Sequence, residues 1–208
     1  MMEIFLIVVL LFSIIIHEYA HGWVAYKLGD PTPKLSGRLT LNPLAHIDVF
    51  GTIMLPILLL LISRGSFAFG YAKPVPINPY NFKNPKKEIM WVGLAGPLSN
   101  LILAAIFAIL IKLNFPRPFP YDIFIWGLLI NLILMIFNIL PIPPLDGSRI
   151  VTSFLPHKYA YQYLKLEMIG FVLIVILVAS GFLRWFIFPL IELIFSLLKI
   201  EFPAFLLS

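Results

Sequence analysis

The chain has 208 residues, 61% of them hydrophobic and only 12% charged, with a formal net charge of +5 and a mean hydropathy of +0.98. A soluble domain carries about twice that charged fraction, so the composition excludes a soluble protein and leaves no stretch polar enough for a separate soluble module. The lack of cysteine excludes disulfides and thiolate metal sites, and basic residues scattered between apolar runs argue against a nucleic-acid partner.

Apolar runs at 4–26, 49–63, 89–113, 121–141, 166–182 and 185–200 are the membrane candidates, a span needing about 20 apolar residues. The first follows Met-Met-Glu with no basic region and leads to no small-residue cleavage site, so it is expected to stay as a helix rather than act as a signal peptide. Behind the run Ile4 to Ile16 comes His17-Glu18-Tyr19-Ala20-His21. On a helix, H-E-x-x-H sets two imidazoles one turn apart on one face, the spacing that grips zinc, with the carboxylate between them available as general base toward water. Ionisable groups at membrane depth are costly and imply function; the plain alternative is a pair of interfacial histidines at a helix end.

Gly29-Asp30-Pro31-Thr32-Pro33 ends this helix. The stretches 35–48 and 67–77 are mixed and proline-bounded, which predicts short extended or β segments. The run 49–63 is short and carries Gly51 and Pro56. If all six runs crossed, the Lys and Arg residues would divide nine to six. If 49–63 dips in and returns, and the N-terminus lies outside, twelve fall inside and only Lys112, Arg117 and Arg184 outside, a cleaner positive-inside division. The fold expected is an all-α polytopic membrane protein with about five transmembrane helices, one re-entrant segment and short extended segments near the site. It forms a single domain over 1–208, with a catalytic core in 1–150 and accessory helices in 166–200.

In the fourth run Pro141, Pro143 and Pro144 break the helix ahead of Asp146-Gly147. Irregular backbone at membrane depth is tolerated where it is buried in protein or lines a cavity. Catalytic zinc takes three protein ligands and leaves one place open, and Asp146 is the carboxylate placed to be the third. Taken alone, Pro-Leu-Asp-Gly is also ordinary turn chemistry. For His21 and Asp146 to meet, the helices preceding them must run in the same direction, and one crossing between them achieves this.

With these residues in view, the chain resembles the site-2 protease family of intramembrane zinc metalloproteases, in its compact prokaryotic form without a PDZ domain. The resemblance rests on His17-Glu18-x-x-His21 and on Asn138-Ile-Leu-Pro141-Ile-Pro143-Pro144-Leu-Asp146-Gly147. It rests also on Ala95-Gly96-Pro97-Leu98-Ser99-Asn100 and on the segment Leu41 to Asp48. It implies one Zn2+ on His17, His21 and Asp146, with Glu18 as base and Asn138 polarising the scissile carbonyl or holding its oxyanion. It implies cleavage in or near transmembrane helices of membrane-protein substrates, in a prokaryotic cell membrane with the site toward the cytoplasm. A metal-ion transporter or a non-proteolytic zinc-binding scaffold are the alternatives, and the oligomeric state stays open.

His46 can be read as a partner of a ligand, a gate, a transient fourth ligand or an interfacial histidine. His157 reads as a solvated loop residue, and Glu192 as a partner of Arg184 or an interfacial group. Trp23, Trp91, Trp126 and Trp185 read as interface anchors, and Gly93 and Gly96 as close-packing positions.

Overall fold

A computed structural model describes residues 2–65, 70–113 and 121–203. Helix α1 (Met2–Lys27) ends where Gly29 adopts a φ of +109°, a left-handed conformation open to glycine. Asp30 follows and is fully buried. Its carboxylate accepts hydrogen bonds from Thr32 N–H (3.0 Å), the Thr32 hydroxyl (2.5 Å), Asn78 N–H (2.7 Å) and the Asn81 amide (2.6 Å). Burial alone would raise its pKa; the hydrogen bonds outweigh that and hold the carboxyl below its ordinary value. Asp30 thereby fastens the end of α1 to a segment about fifty residues later.

A single helical turn, α2 (Thr32–Leu35), comes next, and Asn42 caps a 3-10 turn over Pro43–His46 by accepting Leu44 N–H. Asp48 caps the π-helical turn Val49–Met54 by accepting Gly51 N–H at 2.7 Å, and α3 (Leu55–Ile62) continues it. The stretch expected to be extended, 35–48, therefore holds a proline-started turn: Pro43 presets the backbone and Asn42 satisfies a first-turn donor. Among the described residues there is no strand. The second stretch expected to be extended, 67–77, begins outside the described residues, and from 70 to 78 it has no regular secondary structure. We call 70–78 the strap. Tyr71 N–H donates to Gly51 O (3.0 Å), Lys73 N–H to His46 O (2.9 Å), and the Thr52 hydroxyl to Tyr71 O (2.9 Å). The chain that leaves at Gly51 is thus back beside it at Tyr71.

The remaining helices are α4 (Pro85–Lys112), α5 (Tyr121–Asn138), α6 (Asp146–Phe154), α7 (His157–Leu164), α8 (Glu167–Ala179) and α9 (Phe182–Leu198). Among the described residues, only α1, α4 and α5 are long and apolar enough to cross a membrane on their own; α7 and α8, bent by 53° at their junction, add a fourth if they act as one. The 14 residues of Val49–Ile62 and the end of α9 from Trp185 to Leu198 are apolar but shorter. Length and apolarity thus give three or four spans among the described residues rather than five. Gly181, at a φ of +74°, interrupts the last apolar stretch.

Contacts fix the direction of the three long helices. Along α1, Ser13 meets Asn100 of α4 whereas His21 meets Val92, so α1 and α4 are antiparallel. Asn100 meets Asn131 of α5 and Phe107 lies over Gly127, so α4 and α5 are antiparallel as well. Helices α1 and α5 therefore run the same way. Ala104 and Ala108, one turn apart on α4, let α5 approach closely. The apolar core there includes Leu128, Leu129 and Leu132 of α5 and Ile187, Ile191 and Phe195 of α9.

Candidate metal centre

Three buried side chains from two elements converge: His17 and His21 of α1, and Asp146 at the first turn of α6. Asp146 Oδ2 lies 3.0 Å from His17 Nε2 and 3.1 Å from His21 Nε2, and the two Nε2 atoms are 3.1 Å apart. The other carboxylate oxygen faces Arg149 Nη1 at 3.8 Å.

The remaining ring nitrogens decide what these atoms can do. His17 Nδ1–H donates to Asn100 Oδ1 at 2.5 Å, and His21 Nδ1–H donates to the Val92 carbonyl at 2.6 Å. Neither acceptor can donate in return, because the Asn100 amide nitrogen is turned toward Asn131 Oδ1 (2.9 Å) and the Ser13 carbonyl (3.4 Å). With both Nδ1 atoms protonated, each neutral imidazole presents its Nε2 lone pair inward beside a carboxylate oxygen. Three acceptors gathered at 3.0–3.1 Å repel one another unless a proton or a metal cation lies among them. Ligand atoms around tetrahedral zinc, bonded at about 2.0–2.1 Å, stand about 3.3 Å apart. Two imidazoles and one carboxylate with this spacing fit zinc, and their outer nitrogens are oriented as metal-binding histidines require.

Two glycines make room for the cluster. A Cβ on Gly96 of α4 would stand 2.5 Å from His17 Cε1 and Nε2 and closer still to His21 Nε2. A Cβ on Gly147 would collide with the carbonyl oxygens of Ile139 and Leu140. Without a side chain there, the first turn of α6 folds back against the end of α5 and delivers Asp146.

Behind His17 lies a buried polar chain. Asn131 donates to the Ser13 hydroxyl (2.9 Å) and to the Gly127 carbonyl (2.8 Å) while accepting from Asn100, and Ser13, Asn100 and Asn131 are all fully buried. Sequence reasoning named Asn100 only as the last letter of a motif and overlooked Ser13 and Asn131. The available signal was a lone polar residue in each of two apolar runs, at a depth where polar side chains need partners.

Glu18 is half-buried, and its Oε2 accepts the Val75 N–H of the strap at 3.0 Å. Asn138 makes no hydrogen bond to the three clustered side chains; its amide donates to Leu134 O of its own helix at 2.9 Å. His46 is buried, its Nε2–H donates to the Thr40 carbonyl (2.9 Å), and its Nδ1, an acceptor in the neutral ring, has no partner among the described residues. An unpaired buried acceptor costs about 1–3 kcal/mol. His157 is exposed at the start of α7 and Glu192 is exposed on α9, while the Arg184 side chain lies outside the described set. Trp23, Trp91 and Trp185 are exposed, as interface anchors should be, and Trp126 is half-buried.

The chain is similar to known proteins over most of its length. "Putative zinc metalloprotease YwhC" of Bacillus subtilis is 38% identical over 198 residues, which cover 90% of this chain and 86% of that protein. "Putative zinc metalloprotease Rip2" of Mycolicibacterium smegmatis is 29% identical over 184 residues, or 85% of this chain and 67% of that one. "Zinc metalloprotease MJ0392" of Methanocaldococcus jannaschii is 27% identical over 156 residues, covering 75% of this chain and 36% of that longer protein. No solved structure matches the chain. The sequence pattern of peptidase family M50 matches residues 5–120 and 114–180; the chain belongs to peptidase family M50.

Proposed function

We propose that this peptidase is a zinc-dependent endopeptidase that hydrolyses peptide bonds in or near transmembrane helices of other membrane proteins. The observation that carries this reading is the convergence of three inward-facing acceptors, His17 Nε2, His21 Nε2 and Asp146 Oδ2, in a helical frame apolar enough to lie in lipid. These three residues would hold the metal. Zinc, when bound, acts as a Lewis acid and lowers the pKa of water from near 16 to about 7.

The chain's own groups do the rest. Asn100 and the Val92 carbonyl hold the proton of each imidazole on Nδ1 and aim its Nε2 at the cluster. Glu18 takes a proton from the attacking water and passes it to the leaving amine. Asn138 keeps one amide N–H beyond its bond to Leu134, and that donor is assigned to the oxyanion. Losing one such donor typically costs about 100- to 1,000-fold in turnover.

A transmembrane helix hides its peptide groups, so the substrate has to unwind before attack, and its freed N–H groups need acceptors. The strap suits that need. Its inward N–H groups at 71, 73 and 75 are taken, whereas the carbonyls of Ala72, Pro74 and Pro76 accept from no described residue. An unwound substrate would add to that edge as an extended segment. The return of the chain to Gly51 at Tyr71 favours a re-entrant 49–63, and the twelve-to-three division of positive charge supports a centre toward the cytoplasmic face; the membrane proposed is a prokaryotic cell membrane.

The test is purified protein in liposomes with single-span substrates. Wild type and Glu18→Gln should both carry about one zinc per chain, and only wild type should cleave. His21→Ala and Asp146→Ala should lose metal and activity together. Cleavage by Glu18→Gln at the wild-type rate would refute the assignment, and zinc flux without cleavage would point to a transporter.

A further inference from the structure

A cavity of about 330 Å3 lies beside the centre, between α1, the capped turns at 43–56 and the strap. Leu10, Leu11, Ile14 and Ile15 form its α1 wall, with Pro56 and Tyr71 opposite and His46 at its edge. Resting on the endopeptidase reading, we propose that this cavity is the subsite that receives one large apolar side chain of the unwound substrate. His46 Nδ1 is its acceptor for a backbone N–H of that segment.

Four observations carry the assignment. The cavity is at the small end of the range for ligand pockets, about 300–1,000 Å3, which suits a side chain rather than a helix. Leu10 and Ile14 are eight and four residues before Glu18 in α1, and so lie on the same helix face as the base. The strap that forms another wall through Gly70, Tyr71 and Ala72 also holds Glu18 through Val75 N–H. Substrate aligned on the strap therefore passes cavity and base in turn. Finally, the buried His46 carries an acceptor without a partner among the described residues. A lipid acyl chain has no donor to offer it, and an unwound peptide has one at nearly every residue.

The geometry also says which substrate position is read. At about 1.5 Å per helical residue, the wall from Leu10 to Ile14 stands about 6–12 Å along α1 from Glu18. An extended substrate advances about 3.3 Å per residue, so the cavity addresses a residue about two to four positions from the cut bond.

The experiment uses full-length enzyme in liposomes and a set of single-span model substrates, with one Phe or one Ala walked through the positions around the cut bond. Wild type should favour Phe over Ala at a position two to four residues away. Leu11→Trp, which narrows the cavity, should lower that Phe-to-Ala ratio about tenfold or more. Ile14→Ala, which widens it, should move the preference toward Trp. Because each ratio is internal to one variant, a loss of folded enzyme cancels. N-methylation of the selected residue should slow wild type and leave His46→Ala unaffected.

Equal cleavage of Phe and Ala at every position overturns the subsite and leaves the endopeptidase reading intact. So does a preference that neither cavity variant alters. A phospholipid retained in the Glu18→Gln substrate complex, read by native mass spectrometry, also overturns it. Zinc-loaded wild type that cleaves no member of the set overturns the endopeptidase reading, and the subsite with it.

Discussion

Replacing Gly96 by alanine adds one carbon, and the structure says where it goes. The new Cβ would sit 2.5 Å from His17 Cε1 and Nε2, where ordinary van der Waals contact begins at 3.4 Å. Relief requires that α4 retreat or the imidazoles swing by about 0.9 Å, the difference between those distances. Zinc–nitrogen bonds of about 2.0–2.1 Å tolerate displacements of about 0.2 Å, so the required shift exceeds the tolerance about fourfold. Neither ring can swing freely, since each is tied back through Nδ1, to Asn100 and to Val92. Changes to groups that merely orient metal ligands cost about 10- to 100-fold in affinity. Intrusion between the ligands themselves should exceed that upper figure. The assay is zinc stoichiometry by inductively coupled plasma mass spectrometry after dialysis against a competing chelator, with Ser99→Ala of the same helix as control. Full zinc retention by Gly96→Ala at wild-type affinity would show that α4 does not press on the centre, and the reasoning about the cluster would fail with it.

Three further predictions follow from the same geometry. Asn100→Ala strands the His17 Nδ1–H in a dry interior, so stability should drop by about 1–3 kcal/mol and zinc affinity by about 10- to 100-fold; unchanged melting and metal content would refute the network. Asp30 has a lowered carboxyl pKa, so its contribution to stability is present above the unfolded value of about 3.9 and fades as pH falls through the lower folded value. The melting temperature of wild type should therefore exceed that of Asp30→Asn at pH 7, with the gap closing below about pH 4; a gap constant from pH 7 to 3 would contradict the sign. Ala72→Pro removes a strap N–H that has no partner among the described residues, so it should slow cleavage of helical substrates with little change in melting temperature, and unchanged kcat/KM would argue against strand addition.

How much of this was legible depended on distance along the chain. His17, Glu18 and His21 fall within one helical turn, so their spacing alone sets their faces. Asp146 is 125 residues from His21, and it could be named because proline breaks leave it as a carboxylate at the end of an apolar run. The parallel course of α1 and α5 followed from the requirement that these residues meet. The link Ser13–Asn100–Asn131 is hidden for the opposite reason: each residue can be noticed singly as polar at depth, but they lie on three helices and only packing shows that they are partners. The 3-10 turn at Pro43 is locally encoded by the Asn42-Pro43 pair, which initiates turns, and that signal prevails over the extended reading of the proline-bounded stretch 35–48. Span counting was weakest at the C-terminal end, where interruptions at 165–166 and Gly181 divide apolar sequence into helices of 13 and 17 residues.

The asparagine–serine chain also constrains how a substrate can enter. Sliding α1 past α4 or α5 by even one residue would break its interhelical hydrogen bonds where no water can replace them. Those three helices consequently behave as a locked frame. A substrate would therefore have to reach the centre by displacing elements other than these three helices.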